Sequence, residues 1–234
     1  MTTIPKVPQR VVFLLDVDNT LLDNDRVIAD LRSFLTRELG VDLQEQYWAI
    51  FESLRSELGY ADYLGALQRY RIAHPRDSRI LGLSSFLVNY PFANRLFPGS
   101  LDVIRHLAQR GLTVILTDGD VVFQPLKIER SGLLAAVEGR VLVYVHKEQE
   151  LEDVERRYSA DHYVLVDDKV RILAAIKRVL GERLTTVFPR QGHYPHTPQV
   201  ATYPAPDVTI ERSGDLLGYN MPALLQAARM ARAP

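Results

Sequence analysis

Four short apolar runs, each ending abruptly in polar residues, set the rhythm of the chain. Val11 to Leu15 run into Asp16, Leu112 to Leu116 into Thr117 and Asp118, Val141 to Val145 into His146 and Lys147, and Tyr163 to Val166 into Asp167 and Asp168. Unbroken apolar runs of this length predict strands buried on both faces of a parallel sheet. Between them the apolar spacing changes to three and four. Val103, Ile104, Leu107 and Ala108 share one face of a helix capped by Ser100 and stopped at Gly111, while Ile172, Leu173, Ile176 and Leu180 mark another that ends at Gly181. Strands alternating with helices build right-handed crossovers in an open α/β sheet, whose ligands bind beyond the carboxyl ends of the strands where strand order reverses. The four polar strand ends are therefore expected to gather at one place. Leu184 to Phe188 predicts a fifth strand, Asp207 to Ile210 a short edge strand, and Met221 to Ala231 a closing helix.

The stretch from Asp23 to Phe97 breaks this alternation with four helical patterns and no strand. Val27, Ile28, Leu31, Phe34, Leu35 and Leu39 share a face before Gly40, and Tyr47, Ile50, Phe51, Leu54 and Leu58 share another before Gly59. A third pattern runs from Tyr63 through Tyr70 to Pro75, and a fourth covers Ile80, Leu81 and Leu87 before Pro91. The expected organisation is an α/β core, residues 1–22 and 98–234, with a helical module of residues 23–97 inserted after the first strand. Pro189 to Pro206, rich in proline, histidine and tyrosine, reads as a long ordered loop.

Composition narrows the chemistry. Hydrophobic residues make up 47% of the 234 and the formal net charge is −1, so there is no basic footprint for nucleic acid or for a membrane surface, and an anionic ligand must be caught locally. The chain has no cysteine, which excludes thiolate catalysis, thiolate metal sites and disulfides. Met1 to Arg10 is polar and lacks the apolar stretch of a secretory signal, and a cytoplasmic location is expected. Lysine is scarce, at positions 6, 127, 147, 169 and 177 only, so one at a strand end stands out.

The segment Leu14-Leu15-Asp16-Val17-Asp18-Asn19-Thr20 resembles the first signature of the haloacid dehalogenase-like superfamily, Asp-x-Asp-x-Thr after an apolar strand. Thr117, Lys147 and the pair Asp167-Asp168 then follow in that family's order at the ends of the next three strands. The resemblance implies a Rossmann-like parallel sheet with a helical cap in the place of the insert. It also implies a magnesium-dependent phosphatase acting on a small phosphorylated metabolite through an aspartyl-phosphate.

Each residue type suits that chemistry. A carboxylate can attack phosphorus only if its repulsion from the anionic substrate is neutralised. The resemblance makes Asp16 the nucleophile and assigns magnesium to Asp16, the backbone carbonyl of Asp18, and Asp168, with Asp167 as the alternative ligand; magnesium favours such hard oxygen donors. Lys147 would hold nucleophile and phosphate, Thr117 would donate to a phosphoryl oxygen, and Asp18 would exchange protons with the leaving oxygen and the attacking water. Asp118 is a candidate substrate contact. The family's commoner form has Gly at the position of Asp167 and a further Asp a few residues on, which Val170 to Leu173 do not supply.

Plainer readings accompany these. Asp-x-Asp after a strand is by itself an ordinary turn or helix cap, and Asp118-Gly119-Asp120 an ordinary turn. Lys127 is the rival of Lys147 for the lysine role, but its spacing reads as the solvated face of a helix, and Lys169 reads as solvent-facing. Arg69, Arg71, His74, Arg76 and Arg79 read as a solvated face of the insert or as cations for a second anionic group, and His193, Tyr194 and His196 as surface residues of the late loop. Competing functions are a phosphomutase on the same fold and a phosphoacceptor or binding protein without turnover. The sequence does not give the oligomeric state.

Overall fold

The computed structural model describes residues 10–230, and of 228–230 only the backbone. The polar start before Arg10, with Lys6, and the predicted last helical position, Ala231, lie outside the described residues.

All six strands, β1 (Val11–Leu15), β2 (Leu112–Asp118), β3 (Val141–Tyr144), β4 (His162–Val166), β5 (Leu184–Pro189) and β6 (Val208–Ile210), pair in parallel in the order β3-β2-β1-β4-β5-β6. The chain steps from β1 through β2 to β3 on one side, then crosses to the other side of β1 for β4 to β6. Strand order thus reverses between β1 and β4, and loops leaving their carboxyl ends diverge and open a crevice there. β3 ends one residue earlier than the apolar pattern predicts, and Val145 is exposed.

β1 is buried along its whole length because it feeds two cores. Val11, Phe13 and Leu15 pack into one, and Val12 and Leu14 into the other with Val114, Leu165, Ile172 and Ile176. Alternate residues of a strand point to opposite faces, so a strand covered on both sides has no polar position to offer.

The insert contains four helices: α1 (Asn24–Leu39), α2 (Val41–Leu58), α3 (Tyr63–Ala73) and α4 (Ile80–Asn89). Its two ends lie side by side, since Asp23 N–H donates to the Arg95 carbonyl (2.7 Å) and Phe97 N–H to that of Leu21 (3.0 Å). The helices are not a separate oil drop. Leu31, Phe51, Tyr63 and Phe92 belong to the same apolar cluster as Phe13 and Leu15, and the Phe123 ring lies 5.2 Å from that of Tyr63 and 5.6 Å from that of Phe92. After the insert come α5 (Ser100–Ala108), α6 (Phe123–Arg130), α7 (Leu133–Ala136), α8 (Leu151–Arg157), α9 (Val170–Leu180) and α10 (Met221–Met230). The loop after β5 is ordered by two short 3-10 turns, Tyr194–His196 and Pro198–Thr202. Among the described residues no helix is long and apolar enough to cross a membrane.

Gly111 sits where α5 turns into β2, and a Cβ there would lie 2.3 Å from the backbone oxygen of Val11. Backbone cannot swing aside as a side chain can, so Gly111→Ala is expected to cost about 1–3 kcal/mol by forcing β1 and β2 apart. Urea denaturation would measure it, and an unchanged midpoint would show that the junction has slack.

Candidate active site

The loop that leaves β1 is wound tightly. The N–H groups of Leu21 and Leu22 both donate to the Val17 carbonyl at 2.9 Å, and Asn19 adopts a left-handed conformation (φ 60°) that asparagine tolerates better than most residues. The Asn19 carboxamide then accepts from the N–H groups of Asn24 and Asp25 at 3.0 and 3.1 Å, which satisfies the start of α1 and ties the loop to the insert. Gly192 (φ 68°) packs against this carboxamide, where a Cβ would approach to 2.6 Å. Thr20 reaches the other way, its hydroxyl accepting from Asp168 N–H (3.1 Å) and its carbonyl accepting from the Ser213 hydroxyl (2.6 Å).

At the switch point three carboxylates meet one ammonium. Lys147 Nζ lies 2.5 Å from Asp16 Oδ1 and 2.6 Å from Asp167 Oδ2, and it also donates to the Leu116 carbonyl at 3.2 Å. Ligand oxygens of Asp16, Asp167 and Asp168 all lie within 4.8 Å of one another, and all three residues are buried. Burial works against the charged form of Lys147, but Asp16, Asp167 and Asp118 outweigh it and hold the pKa above the ordinary lysine value. Burial likewise pushes the Asp167 carboxyl up to about 6 despite the opposing pull of Lys147, and pushes Asp168 well above the carboxylate range, with Asp167 and Asp16 adding to the effect.

The members of the acidic pair differ in their surroundings. Asp167 accepts the N–H of Lys169 on Oδ1 (2.8 Å), and its Oδ2, which has no hydrogen bond of good geometry, forms an ion pair with Lys147. Asp168 is fully buried, and among the described residues neither of its oxygens has a hydrogen-bond partner or an ion pair. A buried carboxylate with nothing to accept from is unstable as an anion unless a cation arrives. Three carboxylates crowd round the Lys147 ammonium, with Lys169 acting on them as well, and their burial and mutual repulsion favour the protonated forms of Asp167 and Asp168 while no further cation is bound. An all-oxygen, anionic set of this kind fits a hard divalent ion such as magnesium, with Asp16 and Asp168 as its donors.

Around this centre the other residues take their places. Thr117, on the last turn of β2, accepts from Gln124 Nε2 (3.0 Å) and has only a long 3.4 Å contact for its own proton. Asp118 accepts the Lys147 N–H (2.8 Å), and burial raises its pKa, partly offset by Lys147. Asp18 faces a cleft of about 890 Å³ between sheet and insert, its side chain 28% exposed.

Two residues stand differently from their sequence reading. Lys127 is not on a solvated helix face: it is 1% exposed, and its ammonium bonds both oxygens of Asp18 at 2.6 and 2.9 Å and the Asn24 amide oxygen at 3.1 Å. Lys169 is not solvent-facing but half-buried in the cleft wall, with Nζ 5.1 Å from the centre of the Tyr194 ring. Burial opposes its charge, yet Tyr194, Asp16 and Asp168 keep its pKa above the usual value. His193 and Tyr194 hold the surface positions read for them and also line the cleft and grip the insert: His193 Nδ1 lies 2.7 Å from Asp25 Oδ1, and the Tyr194 hydroxyl accepts from Arg55 at 3.0 Å. His196 does not line the cleft.

Nor do Arg69, Arg71, His74, Arg76 and Arg79, which lie outside it; Arg69 pairs with Glu57 and Arg79 with Asp77. The insert's cleft arginines are Arg32, stacked 4.0 Å over the Trp48 ring, and Arg55. Gln124 and Asn24 are not among the sequence candidates, and Lys127 is there only as the rival of Lys147, not as a partner of Asp18. The one signal for Gln124 and Lys127 was their spacing of three on a single helix beyond Thr117.

The family model for haloacid dehalogenase-like hydrolases matches residues 11–179. A haloacid dehalogenase-like hydrolase from Burkholderia xenovorans LB400 is 62% identical, with a TM-score of 0.86 over 91% of this chain and 100% of its own. A haloacid dehalogenase-like family hydrolase from Xanthomonas campestris shares the fold at 17% identity, TM-score 0.66, with 95% of each chain covered. So does the L-2-haloacid dehalogenase of Xanthobacter autotrophicus with chloropropionic acid covalently bound, at 15% identity and TM-score 0.58 over 90% of this chain and 97% of its own. No curated protein matches.

Two expectations follow from the charges. Magnesium should raise the melting temperature of the wild type, whereas Asp168→Asn should melt higher than the wild type without magnesium and gain nothing from it; a magnesium response equal to that of the wild type would remove Asp168 from the cation site. Asp18→Asn should cost about 3–5 kcal/mol by stranding the buried Lys127 charge. The double variant Asp18→Asn, Lys127→Met should recover most of that in denaturant titration, and additive losses would contradict the pairing.

Proposed function

The chain belongs to the haloacid dehalogenase-like hydrolases, and within that family we propose a magnesium-dependent phosphatase that hydrolyses a small phosphorylated metabolite through an aspartyl-phosphate on Asp16. The observation that carries this reading is the orphaned, buried Asp168 carboxylate beside Asp16. A site that attacked a carbon–halogen bond would have no use for a buried surplus of carboxylates, whereas a site for a phosphate dianion needs a divalent cation and can hold it with them.

The residues divide the work. Asp16 attacks phosphorus in line with the leaving oxygen, and the phosphoryl group passes to its carboxylate while the alcohol departs with a proton from Asp18. Lys147 keeps the Asp16 carboxylate aimed and offsets charge on the transferring group. Because Gln124 donates to the Thr117 oxygen, the Thr117 hydroxyl proton is free to turn to a phosphoryl oxygen. Water then attacks the aspartyl-phosphate, its proton is taken by Asp18, and Asp16 is regenerated. Magnesium, held by Asp16, Asp168 and the Asp18 carbonyl, supplies when bound the positive charge that lets two anions meet.

The cleft supports a substrate larger than phosphate alone. Its volume lies near the upper end of the 300–1,000 Å³ usual for small-molecule sites. Trp48, Phe51 and Tyr63 form an aromatic wall, and Arg32 stands on it without an acidic partner among the ion pairs of the described residues.

Purified protein is expected to hydrolyse 4-nitrophenyl phosphate with magnesium, to stop with EDTA, and to lose at least about a thousandfold of its rate in Asp16→Asn. Intact mass after acid quench should show wild type heavier by one phosphoryl group. Halide release from 2-chloropropionate with no phosphate released from any ester would overturn the reading.

A further inference from the structure

Lys127 has no part in the scheme above, yet it is among the largest fully buried side chains of the protein. It lies on α6 three residues after Gln124, so the two share a helix face, and each holds one polar group of the site: Gln124 the Thr117 hydroxyl, Lys127 the Asp18 carboxylate. The lysine spends its hydrogen-bonding capacity on three oxygens. Two are those of Asp18, and the third is that of Asn24, the first residue of α1. A carboxylate gripped through both oxygens cannot rotate without losing both bonds, so its plane and its place at the cleft are fixed together. The Asn24 bond makes that place depend on the insert being seated.

We propose that Lys127 is a positioning residue for proton exchange: it holds Asp18 at the mouth of the cleft, in reach of the leaving oxygen and the attacking water, and through Asn24 couples that position to the first helix of the insert. The proposal rests on the phosphatase reading. It has a sign that a charge effect alone would not give. Removing a neighbouring ammonium makes a carboxyl easier to protonate, which by itself would speed protonation of the leaving oxygen. Loss of position slows it, and slows it most where the leaving oxygen is most basic and needs the proton most.

The test is the dependence of kcat/KM on leaving-group basicity, measured on the full-length protein with magnesium, from 4-nitrophenyl phosphate through phenyl phosphate to a simple alkyl phosphate. Lys127→Met is expected to lose roughly 100-fold or more on the alkyl ester, within the range of general acid–base catalysis, and far less on the nitrophenyl ester. KM should stay within about threefold, and Lys127→Arg should restore part of the loss. Asn24→Ala, which leaves both charges paired, should steepen the dependence in the same direction by a smaller amount, and it decides the matter if Lys127→Met does not fold. An equal loss on every ester, a gain on the alkyl ester, or no change in either variant would overturn the proposal. If the wild type hydrolyses none of these esters, the phosphatase reading itself falls and takes the proposal with it.

Discussion

The contact between the Lys147 ammonium and the Asp16 and Asp167 carboxylates is what the rest of the architecture serves. Like charges at the ends of adjacent strands repel, and in a buried crevice that repulsion is not screened by water. One lysine, reaching from beyond β3 past β2 to both β1 and β4, makes the assembly of the acidic strand ends tolerable. It does not complete it, because Asp168 stays without a partner. A buried carboxylate left unsatisfied beside two others is a group that a bound cation would stabilise.

The parallel sheet makes that contact possible. Adjacent parallel strands end at the same level, and the reversal of order between β1 and β4 keeps the loops there from closing over the crevice. β1 can carry Asp16 at its end because its five preceding residues are all apolar and covered on both faces, so the strand is held rigidly where a catalytic carboxylate needs a fixed base. The short loop after it is then braced from three directions: by Thr20 to Asp168, by Asn19 to the start of α1, and by Ser213 from the far end of the chain to the Thr20 carbonyl.

The insert closes the site from above and is joined to the core by packing and by polar grips of different character. Phe123 packs between Tyr63 and Phe92, whereas the late loop reaches over with Tyr194 to Arg55 and His193 to Asp25. Apolar packing of this kind resists separation, while exposed hydrogen bonds contribute little and exchange readily with water. The insert is thus held more firmly at Phe123 than at the rim beside Tyr194.

The apolar runs and their polar ends determined the sheet, its parallel sense, the helical insert and the family, because burial on both faces leaves an unbroken hydrophobic signature and an abrupt end. They also determined that Asp16, Lys147, Asp167 and Asp168 would share one place, since they lie at the same ends of parallel strands beside the point where strand order reverses. Tertiary structure alone decided the rest. Lys127 looks in sequence like any lysine on a helix, and only the docking of α6 against the β1 loop buries it on Asp18. The basic run from Arg69 to Arg79 reads as a solvated face or as cations for an anionic group, and only the packing of the insert decides for the solvated face and brings Arg32 and Arg55, on α1 and α2, to the cleft. A helix reports which of its faces is apolar but not which neighbour will cover the polar ends, because that depends on side chains brought together from a hundred residues away.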